Sequence, residues 1–154
     1  MKKKGFLLLL AAGLLVTGCG KDDEEKKEEK KDTSTNTLTC TMTQDDSKVE
    51  VVVVQNKKTY EFTSGSMTMT MTGDDEDMDG ITEEQLEEFF CDDEKTKSCK
   101  ATISGNNVSI KMELDMDKYK EDILEETEQE KIDKDTLEKL KDATEKDGYT
   151  CKIS

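Results

Sequence analysis

Asp75, Asp77 and Asp79 alternate with other residues and are followed by Gly80, within the run Asp74-Asp75-Glu76-Asp77-Met78-Asp79-Gly80. Carboxylates at this spacing match positions 1, 3 and 5 of a calcium-binding EF-hand loop, with glycine at position 6 for the sharp turn. The match then stops. Position 12 needs a bidentate glutamate, but counting from Asp75 it is Leu86, and aligning on Ile81-Thr82 instead takes a one-residue deletion and leaves Gln85 there. A helix start accounts for the second half: Thr82 and Gln85 make a capping box, and Ile81 against Leu86 a hydrophobic staple, for a helix opening at Glu83. Ca²⁺ binding by Asp75, Asp77 and Asp79 is thus the alternative to a solvated acidic turn.

Cysteine is the second residue type that carries chemistry, and the chain has five. Cys19 ends the run Leu15-Val16-Thr17-Gly18-Cys19, which looks like a bacterial lipobox. Lys2, Lys3 and Lys4 precede it as a positive segment, and Phe6 to Val16 is uncharged and apolar, the layout of a secretory signal. A spanning helix needs roughly twenty apolar residues, and this run is shorter. Residues 1–18 are therefore expected to be removed and Cys19 to carry a diacylglyceryl anchor, with each buried methylene contributing about 0.8 kcal/mol. The partner this implies is the membrane, with the domain at its extracytoplasmic face.

Cys40, Cys91, Cys99 and Cys151 then remain, an even number in an exported chain, and three pairings are possible. Spacing favours Cys91 with Cys99, across a polar loop between a helix and a strand. It also favours Cys40 with Cys151, which sit in the similar segments Leu38-Thr39-Cys40-Thr41 and Tyr149-Thr150-Cys151-Lys152. A redox or metal-binding thiol site is the competing reading; the chain has no Cys-x-x-Cys and no histidine to complete a zinc set.

Composition narrows the function further. Arg, His, Trp and Pro are absent, so no guanidinium fork can grip phosphate and no imidazole can serve as base or ligand. Ser-His and Cys-His nucleophile pairs are excluded. Paired carboxylates could serve a glycosidase, but with aromatics at 5% nothing suggests a cleft to hold a sugar. The net charge of −15 disfavours nucleic acid and favours cations or basic partners.

The elements that must position these groups follow from periodicity. Residues 21–32 carry no apolar side chain and, with the spacer Thr33-Ser34-Thr35-Asn36-Thr37, read as a solvated tether over 19–37 ahead of a single domain at 38–154. Leu38, Cys40 and Met42 alternate with threonines, and Asp45-Asp46-Ser47 supplies a turn. Val51 to Val54 reads as a central strand covered on both faces. Met67, Met69 and Met71 project to one side of a strand and are expected in the core, although a thioether row can also bind Cu(I). Val108, Ile110, Met112, Leu114 and Met116 alternate strictly, Asp117 and Asp135 are placed to cap helices, and Gly148 to end one. The expected fold class is α+β: an antiparallel meander sheet with two helical regions packed on one face.

This order resembles the YehR-type family of small bacterial lipoproteins. The resemblance rests on Gly18-Cys19-Gly20, the strands from Leu38 to Phe62, a middle helix, the strand Asn107 to Met112, and the ending Asp147-Gly148-Tyr149-Thr150-Cys151-Lys152. It implies an α+β fold and lipoprotein status and carries no catalytic residue across. The resulting expectation is a non-enzymatic, membrane-anchored domain that binds a ligand or partner, with no catalytic or cofactor residue and with the acidic stretch 74–79 as its candidate patch.

Overall fold

Two-residue alternation from Thr35 to Gln44 makes β1, which turns through Asp45 (φ 49°) and Asp46 into β2, Ser47–Asn56. Aspartate tolerates the left-handed conformation better than most residues, and Ser47 Oγ donates to the Gln44 carbonyl across the turn at 3.0 Å. The computed structural model describes residues 34–73, 80–91 and 94–154. Strand β3, Phe62–Thr72, completes an antiparallel meander with β1 and β2. The hairpin of β4, Thr96–Ser104, and β5, Asn107–Leu114, joins it through β5 against β3. The last strand, β6 (Thr150–Ile153), returns beside β1, giving the order β4-β5-β3-β2-β1-β6 with every pair antiparallel.

All three described helices belong to one layer. They are α1 (Glu83–Phe90), α2 (Met116–Glu126) and α3 (Thr136–Lys146). Beneath them Leu38, Val51, Val53, Met67, Met69, Ile110, Met112 and Leu114 meet Met116, Tyr119, Ile123, Leu137 and Leu140 in one apolar cluster. The methionine row is core, as its position opposite Val49 and Val51 requires. No helix of the described residues is long and apolar enough to cross a membrane.

Several local expectations are corrected. Val52 and Val54 are only half-buried and lie on the face away from the helices, because the described residues cover the sheet on one face only. A run of β-branched residues meets the strand propensity of a one-sided sheet as readily as that of a buried one. The 19–37 tether boundary also moves, since Thr35, Asn36 and Thr37 pair with Asn56, Gln55 and Val54. Backbone pairing needs no apolar side chain, so the strand starts before the hydrophobic alternation does. β3 runs through Ser64-Gly65-Ser66 without a break. Met116 Sδ lies where a Cβ on Gly65 would stand, so glycine there makes room for α2 rather than a turn.

Helix starts shift likewise. Thr82 and Gln85 form the expected capping box. For α2 the cap is Asp115, two residues before Asp117, because its carboxylate receives the Asp117 N–H. Asp135 makes no side-chain cap for α3. Instead Asp133 and Thr136 bond reciprocally: the Asp133 N–H donates to Thr136 Oγ1 at 2.8 Å, and the Thr136 hydroxyl donates to the Asp133 carboxylate at 3.3 Å, which also receives the Asp135 N–H at 2.9 Å.

Candidate functional site

A groove of about 470 Å³ lies where the β2–β3 loop, α2 and the α2–α3 connector converge. Helix α2 builds one wall through its periodicity. Met116, Tyr119 and Ile123 face the sheet, while Asp117, Lys120 and Leu124, at i, i+3 and i+7, form the neighbouring stripe and line the opening. Phe62, at the start of β3, and Ile132, from the connector, complete an apolar floor with Met116 and Leu124. Glu61, Asp117 and Glu130 face Lys120 and Lys131 around the rim, and Thr59 and Thr63 add hydroxyls.

One buried amide holds two of these walls together. Gln55 continues the inward series Val49, Val51, Val53 and is 1% exposed, so it must find partners among backbone groups. Its Nε2 donates to the Tyr60 carbonyl at 2.9 Å and to the Asp133 carbonyl at 3.2 Å. The first bond pins the β2–β3 loop, where Tyr60 takes a φ of 61°, and the second pins the connector after α2. Asp133 is fixed in turn by Gln129 Nε2 at 3.1 Å. The Asp135 N–H, then Gln129, hold its carboxyl below the usual aspartate range. Neither the groove nor Gln55 is among the sequence-predicted site residues. Its signal was a polar residue on an inward strand position, which needs a partner that only the folded chain supplies.

Both expected disulfides form: Cys40 with Cys151, and Cys91 with Cys99. Cys40 and Cys151 are direct cross-strand partners. Thr37 and Ser154 exchange both backbone hydrogen bonds, so by alternation the Cys40–Cys151 pair is a non-hydrogen-bonded one, the kind whose side chains stand closest. The Cα atoms are 4.0 Å apart.

The sheet edges are closed by carboxylates. Glu83 and Glu87 of α1 accept the outward N–H groups of Ile103 and Ala101 on β4 at 2.9 and 3.0 Å. Four residues of helix rise about 6 Å and two of strand about 6.6 Å, so an i, i+4 acid pair meets alternate edge amides. Glu145 of α3 receives the Cys151 N–H on β6 at 3.4 Å. Part of the acidic composition therefore blocks edge pairing. α1 buries no side chain, and Phe89 on its outer side is 73% exposed.

Comparison with protein-family models, curated proteins and solved structures finds no match for this chain. Its function has to be argued from its own residues. Cys19, expected to carry the lipid anchor, and the acidic residues Asp75, Asp77 and Asp79 lie outside the described residues. Gly80, at their edge, has a φ of 85°. Among the described residues no three His, Cys, Asp or Glu side chains gather as a metal site.

Proposed function

We propose that this chain is a membrane-anchored extracytoplasmic lipoprotein of the YehR type, whose domain binds a ligand or protein partner without chemically converting it. The observation that carries the location is the division of the cysteines. Four are joined in two disulfides, as in a chain folded in an oxidising compartment, and the fifth is Cys19, at the end of the lipobox-like run. The observation that supports binding is the groove, whose apolar floor and rim of both charge signs suit an amphipathic ligand segment.

Intact-mass analysis of protein from its own cells tests the anchor. The expected species begins at Cys19 and carries acyl chains, partitions into detergent, and becomes water-soluble in Cys19→Ala. An N-terminus elsewhere, or an unmodified Cys19, overturns the location. Native mass spectrometry of the extracted protein tests the groove: a bound species that Leu124→Asp releases supports it, and a bare domain throughout overturns it.

The alternative is Ca²⁺ binding by Asp75, Asp77 and Asp79, favoured by the positive φ of Gly80, the position where an EF-hand loop turns. Calorimetry separates the two. Heat at micromolar Ca²⁺ that disappears in Asp75→Ala and Asp77→Ala supports the metal reading, and its absence in the unmutated protein overturns it.

A further inference from the structure

The charge of this protein is not evenly spread. Twenty-three basic residues face 38 acidic ones in the whole chain. The sheet face turned away from the helices reverses that balance, with Lys48, Lys100, Lys111 and Lys152 against Glu50 and Glu113. Among the described residues, nothing packs over this face. The remainder of it is largely threonine and serine, including Thr39 and Thr41 of β1, Ser66, Thr68 and Thr70 of β3, Ser109 of β5 and Thr102 of β4.

Its centre of positive charge is a cross-strand pair. Lys100 and Lys111 stand directly opposite each other on β4 and β5, both exposed. Like charges in that relation destabilise a sheet. Lys48 has Glu50 at 3.7 Å, whereas among the described residues no carboxylate lies within 4.0 Å of Lys100 or Lys111. Neighbouring hydroxyls surround the pair: Thr68 is the other cross-strand partner of Lys111, and Ser109 and Thr102 form the next row. Two ammonium groups with no carboxylate within 4.0 Å among the described residues, beside a field of hydroxyl groups, make a surface for phosphate oxygens.

We propose that the open sheet face, centred on Lys100 and Lys111, docks linear polyphosphate. Charge and side-chain size favour a polymer over a lipid surface. The apolar residues of this face, Val52 and Val54, are half-buried at its middle and offer nothing long enough to enter a bilayer. A polymer can instead lie across successive strands and meet Lys111, Lys100 and the threonine rows together. This assignment is independent of the groove and of the lipid anchor.

The test uses the full chain carrying Cys19→Ala, so that no acyl group contributes, with long-chain inorganic polyphosphate as probe. Binding at low salt is expected to weaken steeply as salt rises. It is expected to fall about tenfold or more in Lys100→Ala/Lys111→Ala, and to be unchanged in Lys134→Ala/Lys146→Ala on the helical side. The circular dichroism spectrum of each variant confirms folding. No binding at low salt, or equal loss in the two double variants, overturns the proposal. So does binding to vesicles containing one third anionic phospholipid with none to polyphosphate, which would make the face a membrane contact.

Discussion

Cys40 and Cys99 lie in the same cross-sheet row of the inner face, four strands apart. The row runs Cys151, Cys40, Val51, Met67, Met112, Cys99, so the two disulfides close the sheet at one level from opposite edges. Cys40–Cys151 joins the two ends of the domain, 111 residues apart, and Cys91–Cys99 fastens α1 to the β4 edge over 8 residues. They should therefore contribute unequally. In the loop-entropy description the first stabilises by roughly 4.7 kcal/mol and the second by roughly 2.6 kcal/mol. Thermal denaturation of Cys40→Ser/Cys151→Ser and Cys91→Ser/Cys99→Ser is expected to show the larger loss for the first; equal losses would contradict that ordering.

The carboxylates along β4 give a residue-level prediction. Removing the acceptor in Glu87→Ala should free the Ala101 amide, and Glu83→Ala that of Ile103. A charge-assisted bond at a partly exposed site is worth about 1 kcal/mol, or roughly fivefold in exchange. Hydrogen exchange followed by NMR checks this. The amides of β5 serve as internal reference, and uniform acceleration across both strands would mean global destabilisation instead.

Gly65 makes a packing prediction. A methyl group there meets Met116 Sδ and stands 3.3 Å from Leu114 Cβ, and all three residues are buried. Gly65→Ala is expected to cost about 1 to 3 kcal/mol by overpacking. Met116→Ala creates a cavity by itself, so the double variant should be less unstable than the sum of the singles. Additive losses in a denaturant-based cycle would show that the two positions do not compete for space.

Acid should weaken the connector and the C-terminal edge. Asp133 is held below its ordinary value first by the Asp135 N–H, and Glu145 first by Lys141, whose amine lies 3.0 Å away. A carboxyl depressed in the folded state adds stability above its unfolded pKa and loses that addition as pH falls through the folded value. For these two the loss occurs below about pH 4.5 and 3.8, the ordinary Glu and Asp values. Lys141 is raised by the same partner, so its share is present below pH 10.5 and fades above it. Urea unfolding across pH 2 to 6 should show a shallower acid slope in Asp133→Ala; an unchanged slope would remove Asp133 from the account.

Local patterns in the chain determined much of this architecture. The alternation at 38–42 and 108–114, the Thr82–Gln85 cap, the glycine after α3 and both disulfides were legible, because each depends on neighbouring residues or on a short set of possible partners. Only the tertiary structure decided which sheet face is covered, that Gly65 admits Met116, that Gln55 ties two loops into a groove, and that Glu83 and Glu87 meet β4 amides. Each of these joins residues distant in sequence. Period-two spacing states that side chains alternate, but which side receives the helices depends on where the crossovers run.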